Sequence, residues 1–99
     1  MTNILIFGTG SGCKKALQQL NFKKVNIIAY IDNDPNKRDN IFHNKKIISP
    51  EEVTKFDYDY IIICSEYYNE MIKQLEKLGV RREKVLIWYY YCNDNSFNH

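Results

Sequence analysis

The sequence predicts a single α/β domain of three layers, built on a parallel sheet of about five strands in the order 3-2-1-4-5. Three observations carry this expectation. Apolar runs of strand length recur at Ile4-Leu5-Ile6-Phe7, at 25–31 and at 58–64, and a run apolar on both faces is what a buried parallel strand requires. Segments of helical periodicity alternate with these runs, which implies right-handed crossovers between parallel strands. The first run stops at Gly8-Thr9-Gly10-Ser11-Gly12, a glycine-rich turn of the kind that joins a strand to a helix and presents backbone N–H groups.

Residues 3–7 read as the central strand. The helix after the turn places Cys13, Ala16, Leu17 and Leu20 on one stripe, with Lys14, Lys15, Gln18 and Gln19 outside and Asn21 as a stop. Residues 25–31 form the second strand, closed by the turn signal Asp32-Asn33-Asp34-Pro35. Residues 36–45 are polar and aperiodic and are expected to form a surface loop. Lys46-Ile47-Ile48 is a short third strand. Ser49-Pro50-Glu51-Glu52 combines a capping serine, proline at the first helical position and glutamate at the third, which predicts a short helix over 50–55. The fourth strand covers 58–64. Ser65 is expected to cap a helix with the stripe Met71, Ile72, Leu75 and Leu78, closed by Gly79 in the C′ position. Val85-Leu86-Ile87-Trp88 is the last strand. Residues 1–91 are thus read as one domain and 92–99 as a flexible tail.

Composition narrows the function. The chain has 99 residues and a formal charge of +2, from 14 basic and 12 acidic residues in mixed order, so no basic stripe marks a nucleic-acid surface and none is expected as partner. No stretch approaches the roughly 18 apolar residues of a membrane span, and the short first run lacks the basic flank of a signal peptide. Cys13, Cys64 and Cys92 are odd in number and have no framework spacing, which argues for a cytoplasmic setting. His43 and His99 show no metal-ligand spacing. No Ser/His/Asp or Cys/His set and no Tyr-x-x-x-Lys pair is present, so no catalytic residue is assigned.

The candidate ligand-binding residues are Gly8, Thr9, Gly10, Ser11, Gly12, Cys13, Asp32, Asn33, Cys64 and Ser65. In the predicted strand order, the carboxyl ends of the first and fourth strands are neighbours across the switch point, where open α/β sheets bind ligands. Gly8 and Gly10 match the first two glycines of G-x-G-x-x-G, and Cys13 stands where the third small residue is expected. Asp32 follows the glycines by roughly 20 residues, where an acid can accept hydrogen bonds from a ribose. Ser65 and Tyr67 face the turn. The first helical turn favours a thiolate at Cys13, but Cys13 and Cys64 read more simply as small core residues than as a redox pair. Trp88-Tyr89-Tyr90-Tyr91 is more aromatic surface than so small a sheet can bury, and is expected to serve a homodimer or partner-enzyme contact.

The segments Ile4–Gly12, Ile31-Asp32-Asn33-Asp34-Pro35, Ile47-Ile48-Ser49-Pro50-Glu51-Glu52 and 58–65 together resemble small Rossmann-like modules of bacterial surface-polysaccharide biosynthesis. Such modules are similar to the N-terminal domains of sugar acyltransferases and of nucleotide-sugar dehydratases. The resemblance implies binding of NAD(P) or a nucleotide-sugar without chemistry of its own, with Gly8, Gly10 and Gly12 at the phosphate and Asp32 at the ribose. The histidine typical of acyltransferase turns is replaced by Ser11-Gly12-Cys13. The glycine turn also resembles the first motif of S-adenosylmethionine-dependent methyltransferases, but Ile6 stands where their acidic residue belongs. The expectation is a non-catalytic nucleotide-binding module. The alternative is a protein-interaction or dimerisation module that keeps the nucleotide fold for its surfaces.

Overall fold

The computed structural model describes residues 1–88; the expected tail and Tyr89–Tyr91 lie outside them. The strands are β1 Thr2–Phe7, β2 Val25–Ile31, β3 Ile41–Phe42, β4 Lys45–Ile48, β5 Tyr60–Ile63 and β6 Val85–Ile87, with helices α1 Ser11–Gln19 and α2 Tyr68–Lys77. They form one six-stranded sheet in the order β3-β4-β2-β1-β5-β6. Every pairing is parallel except β3–β4. The expected five-strand order is therefore present, extended at one edge by a hairpin.

That hairpin corrects the loop expected over 36–45. Its two-residue turn is His43-Asn44, both with positive φ (47° and 68°), the geometry that matches the twist of two antiparallel strands. Asn tolerates this conformation, but no Asn-Gly signal announces it. Pro35–Lys37 forms one turn of 3-10 helix before it. The helix expected at 50–55 is also 3-10 rather than α. There the Glu52 carboxylate accepts from the Ser49 amide (3.2 Å) and hydroxyl (3.0 Å) and from Arg38 Nε (2.9 Å).

The sheet is buried on both sides because successive residues of its strands are apolar and alternate between its two faces. Leu5 and Phe7 of β1 join Ile31, Ile48, Val53, Ile61, Ile63 and Leu75 on one face, under the 3-10 turn and α2. Ile4 and Ile6 join Cys13, Ala16, Ile27, Tyr30 and Ile62 on the other, under α1. Each Val, Leu, Ile or Phe among them contributes about 1.5–3 kcal/mol by its removal from water. Tyr30 is enclosed by Phe42, the rings meeting edge-on at 4.9 Å, so the hairpin does part of the covering that a second helix would do.

The end of α2 is as the sequence predicts. Gly79 takes φ +92°, its amide bonds Glu76 O at 3.0 Å and the Val80 amide bonds Leu75 O at 3.0 Å, which satisfies the last carbonyls in a Schellman motif. The start of α2 differs. It begins at Tyr68, without a side-chain cap, and Ser65 Oγ instead accepts from the Tyr67 amide at 3.1 Å. Ser65 thus closes a turn between β5 and α2 rather than capping the helix.

Candidate functional site

Chain direction alone creates a crevice at the carboxyl edge of the sheet. From β1 the chain departs to α1 on one face, and from β5 to α2 on the other, leaving a gap between the two connections. The strand ends are held in line by continued pairing: Gly8 N to Ile31 O (2.8 Å), Cys64 N to Phe7 O (2.9 Å) and Asp32 N to Ile48 O (3.1 Å). The resulting cleft measures about 400 Å³ and is lined by Gly8, Thr9, Gly10, Ser11, Gly12, Asp32, Cys64, Ser65, Glu66, Tyr67 and Met71. A larger groove of about 680 Å³ opens near the amino ends of β1 and β2. It has neither the helix N-terminus nor the carboxylate, so the smaller cleft is the candidate site.

The three glycines of the turn have different duties. Gly8 needs its φ of +110°, and a Cβ there would stand 3.0 Å from the Cys64 carbonyl oxygen. At Gly12 a Cβ would meet the same oxygen at 2.6 Å, so α1 can approach the end of β5 only because this residue lacks a side chain. Gly12, not Cys13, therefore fills the role of the third motif glycine, in a G-x-G-x-G spacing. Gly10 is otherwise placed. Its φ is an ordinary −88°, and a Cβ there would meet nothing within 4 Å. Neither backbone strain nor packing requires glycine at this position. Its missing side chain leaves open space at the N-terminus of α1, where Gly10 is the N-cap and supplies no capping group. The first intrahelical bond to the cap is Lys14 N to Gly10 O, at 3.2 Å, so the Ser11, Gly12 and Cys13 amides precede the helical ladder.

Opposite them stands Asp32, its side chain 15% exposed. Oδ2 accepts from the Thr9 hydroxyl at 2.5 Å and lies 3.6 Å from Lys37 Nζ, while Oδ1 accepts from the Asp34 amide at 2.9 Å. Lys37 Nζ also donates to Thr9 Oγ1 at 3.2 Å. Burial pushes the Asp32 pKa up, but the hydrogen bonds from Thr9 and Asp34 and the Lys37 charge outweigh it, leaving the carboxyl below its ordinary value. Asp32 is thus a fixed anion beside the cleft.

Two expected residues are placed elsewhere. Cys13 is fully buried under α1 in the core, and burial pushes its thiol to about 11, the reverse of an activated thiolate. Burial likewise raises Cys64, with a further contribution from Cys13. Asn33 does not line the cleft; its amide pairs reciprocally with Gln74 of α2, at 2.8 and 3.2 Å. That pair ties the end of β2 to α2. Conversely, Met71 and Lys37 belong to the site and were not marked by the sequence. Met71 read as one more residue of an apolar stripe, and Lys37 as one more polar residue of a loop. Among the described residues, no group of three or more His, Cys, Asp or Glu is gathered to hold a metal, and no helix is long and apolar enough to cross a membrane.

Solved structures share this fold. The crystal structure of RSP, a Rex-family repressor, superposes with a TM-score of 0.68 at 16% identity, over 98% of this chain and 56% of the RSP chain. RSP has also been solved with β-NAD+ and operator DNA, and with β-NADH. UDP-D-quinovosamine 4-dehydrogenase from Vibrio fischeri matches with a TM-score of 0.67 at 22% identity, over 96% of this chain and 84% of the other. The chain therefore spans just over half the length of the repressor it matches. The expectation of no nucleic-acid partner is overturned here: the same fold is found in a protein solved on operator DNA, so low net charge does not exclude that class. No curated protein matches the sequence. The family described as "C2185-like, N-terminal" matches residues 1–86, a span that holds the glycine turn and every residue lining the cleft, and the chain belongs to this family.

Proposed function

We propose that this domain binds a ligand containing a nucleoside diphosphate, either a nicotinamide dinucleotide or a nucleotide-sugar, in the cleft at the carboxyl edge of the sheet. One observation carries the reading: Gly10 is a glycine that neither φ nor packing requires, and it opens the cleft at an uncapped helix N-terminus. That is where amide donors and the helix dipole favour a phosphate. The Gly10, Ser11 and Gly12 segment receives the diphosphate, and Asp32, which keeps acceptor capacity on Oδ1, receives a ribose hydroxyl. Gly8 and Gly12 shape the cleft without contacting the ligand through side chains. NAD+ and NADH bound to RSP and the UDP-sugar named for the Vibrio enzyme support this ligand class on this fold. The domain's own residues bind and orient, and any chemistry is supplied by a partner domain or enzyme in surface-sugar metabolism.

Thermal denaturation with NAD+, NADP+, UDP-sugars, S-adenosylmethionine and coenzyme A separates the candidates. A ligand at 100 times its Kd adds about 2.7 kcal/mol, on the order of 10–20 °C in Tm for a domain of this size. Gly10→Asp should abolish that shift by placing a carboxylate in the phosphate position, while leaving the unliganded Tm unchanged or raised, because Asp is a favourable N-cap. Stabilisation by none of these compounds, stabilisation by S-adenosylmethionine alone, which has no diphosphate, or a shift that persists in Gly10→Asp rejects the reading.

A further inference from the structure

The two faces of the sheet are covered unequally. One carries both the Pro50–Lys55 turn and α2; among the described residues the other has α1 as its one helix, with Phe42 of the hairpin and Trp88 packed beside it. In a doubly wound half-fold the β2-to-β4 connection is a helix lying beside α1; here residues 32–40 and the β3–β4 hairpin replace it. A groove of about 680 Å³ remains between α1 and the hairpin, with Ile27 and Tyr30 in its floor, Leu17 and Phe22 on one wall and His43 and Lys45 on the other. Phe22 is 52% exposed and Met1, at the groove's end, 82%, so large apolar side chains stand at its edge facing water.

Charge makes the groove selective. Among the described residues, no acidic side chain lines it. Lys45 lines one wall, and the exposed Lys23 and Lys24 follow Phe22 in the sequence, just beyond the lining of the other. The ion pairs of the described residues involve Lys37, Arg38, Lys46 and Arg81, leaving these three ammonium groups uncompensated. An apolar floor with Lys45 on its wall, lysines nearby and no lining carboxylate is complementary to a helix with one apolar stripe and acidic flanks. Among its described residues, a second copy of this chain does not offer one. α1 carries no acidic residue, and the apolar stripe of α2, around Leu75, is already in the core.

We propose that the groove between α1 and the β3–β4 hairpin is a docking site for an acidic amphipathic helix of a partner protein, which completes the helical layer on that face. The site is separate from the nucleotide cleft, and its test does not depend on a nucleotide.

The probe is a synthetic 14-residue helical peptide with leucines at i, i+3, i+4, i+7 and i+11 and glutamates on the flanks, titrated into the full chain labelled with 15N. A matched peptide carrying lysine for each glutamate is the control. The proposal expects saturable shifts of the Leu17, Phe22, Ile27 and Tyr30 amides, at least about tenfold weaker binding of the basic peptide, and loss of affinity as salt is raised. Phe22→Asp should weaken the acidic peptide by about tenfold or more at an unchanged Tm, and Lys45→Glu should do so without touching the apolar floor. Equal binding of both peptides, shifts confined to other surfaces, or no binding would overturn the proposal. So would sedimentation showing a dimer that Phe22→Asp dissociates, which would assign the groove to a second copy.

Discussion

Replacing Gly12 and Gly10 in turn by alanine separates a glycine kept for packing from one kept for a ligand. At Gly12 the added Cβ would stand 2.6 Å from the Cys64 carbonyl oxygen and 3.2 Å from its carbon, far inside ordinary van der Waals contact. The obstacle is backbone and cannot rotate away, because the Cys64 amide is bonded to Phe7 O at 2.9 Å. Either α1 or the end of β5 must move, and such overpacking costs about 1–3 kcal/mol. Better helix propensity returns at most about 1 kcal/mol, so a net loss of about 1–2 kcal/mol is expected. At Gly10 the Cβ enters open space at a φ any residue adopts. The poorer N-cap costs up to about 1 kcal/mol, and the stiffer unfolded chain offsets about 0.4–1 kcal/mol. Gly10→Ala should therefore stay within about 0.5 kcal/mol of wild type, yet weaken the nucleotide. Urea unfolding followed by far-UV circular dichroism, compared at equal m, reads both differences. A Gly12→Ala protein as stable as wild type, or a Gly10→Ala protein as damaged as Gly12→Ala, would refute the division of duties.

Thr9→Val removes the hydroxyl that donates to Asp32, so the Asp32 pKa should rise in a 13C carboxyl titration. Because Asp32 and Glu52 are depressed in the folded state, their contribution to stability is complete above the unfolded carboxylate range, near pH 4, and is lost as pH falls through the folded values. Thr9→Val should flatten that loss, and an unchanged acid profile would remove Thr9 from the account. Cys13 and Cys64, buried with raised thiol pKa values, should resist iodoacetamide at pH 8 until the chain unfolds; rapid modification of either, read by peptide mass mapping, would contradict the packing. Gly79→Ala forces a Cβ into φ +92° with open space around it. It should cost roughly 1–2 kcal/mol from backbone strain alone, measured in the same urea series.

What was legible in the sequence is what local chemistry writes. The run Ile4–Phe7 followed by three spaced glycines specifies a buried strand, a tight turn and a helix. Asp32-Asn33-Asp34-Pro35 specifies the end of β2, and Gly79 after Leu75 and Leu78 specifies a helix terminus. Each depends on residues within a few positions of one another, so periodicity and turn preference suffice. The second strand of the hairpin was legible at Lys46-Ile47-Ile48, but the turn and the first strand were not, because the turn is His43-Asn44 and the first strand is two residues long. The start of α2 was misplaced for a related reason: Ser65 makes a cap-like hydrogen bond, but to the turn before the helix.

The sequence by itself determined the α/β class, the central place of β1 and the location of the cleft, because alternating strands and helices leave few right-handed ways to pack. Only the tertiary structure decided which residue does what inside that cleft. Gly12 rather than Cys13 is the packing glycine because the Cys64 carbonyl, 52 positions along the chain, lies against it. Asn33 is tied to Gln74 across 41 positions, and Lys37 is set beside Asp32 by one turn of 3-10 helix. These duties arise from contacts between chain segments distant in sequence, which no local pattern encodes.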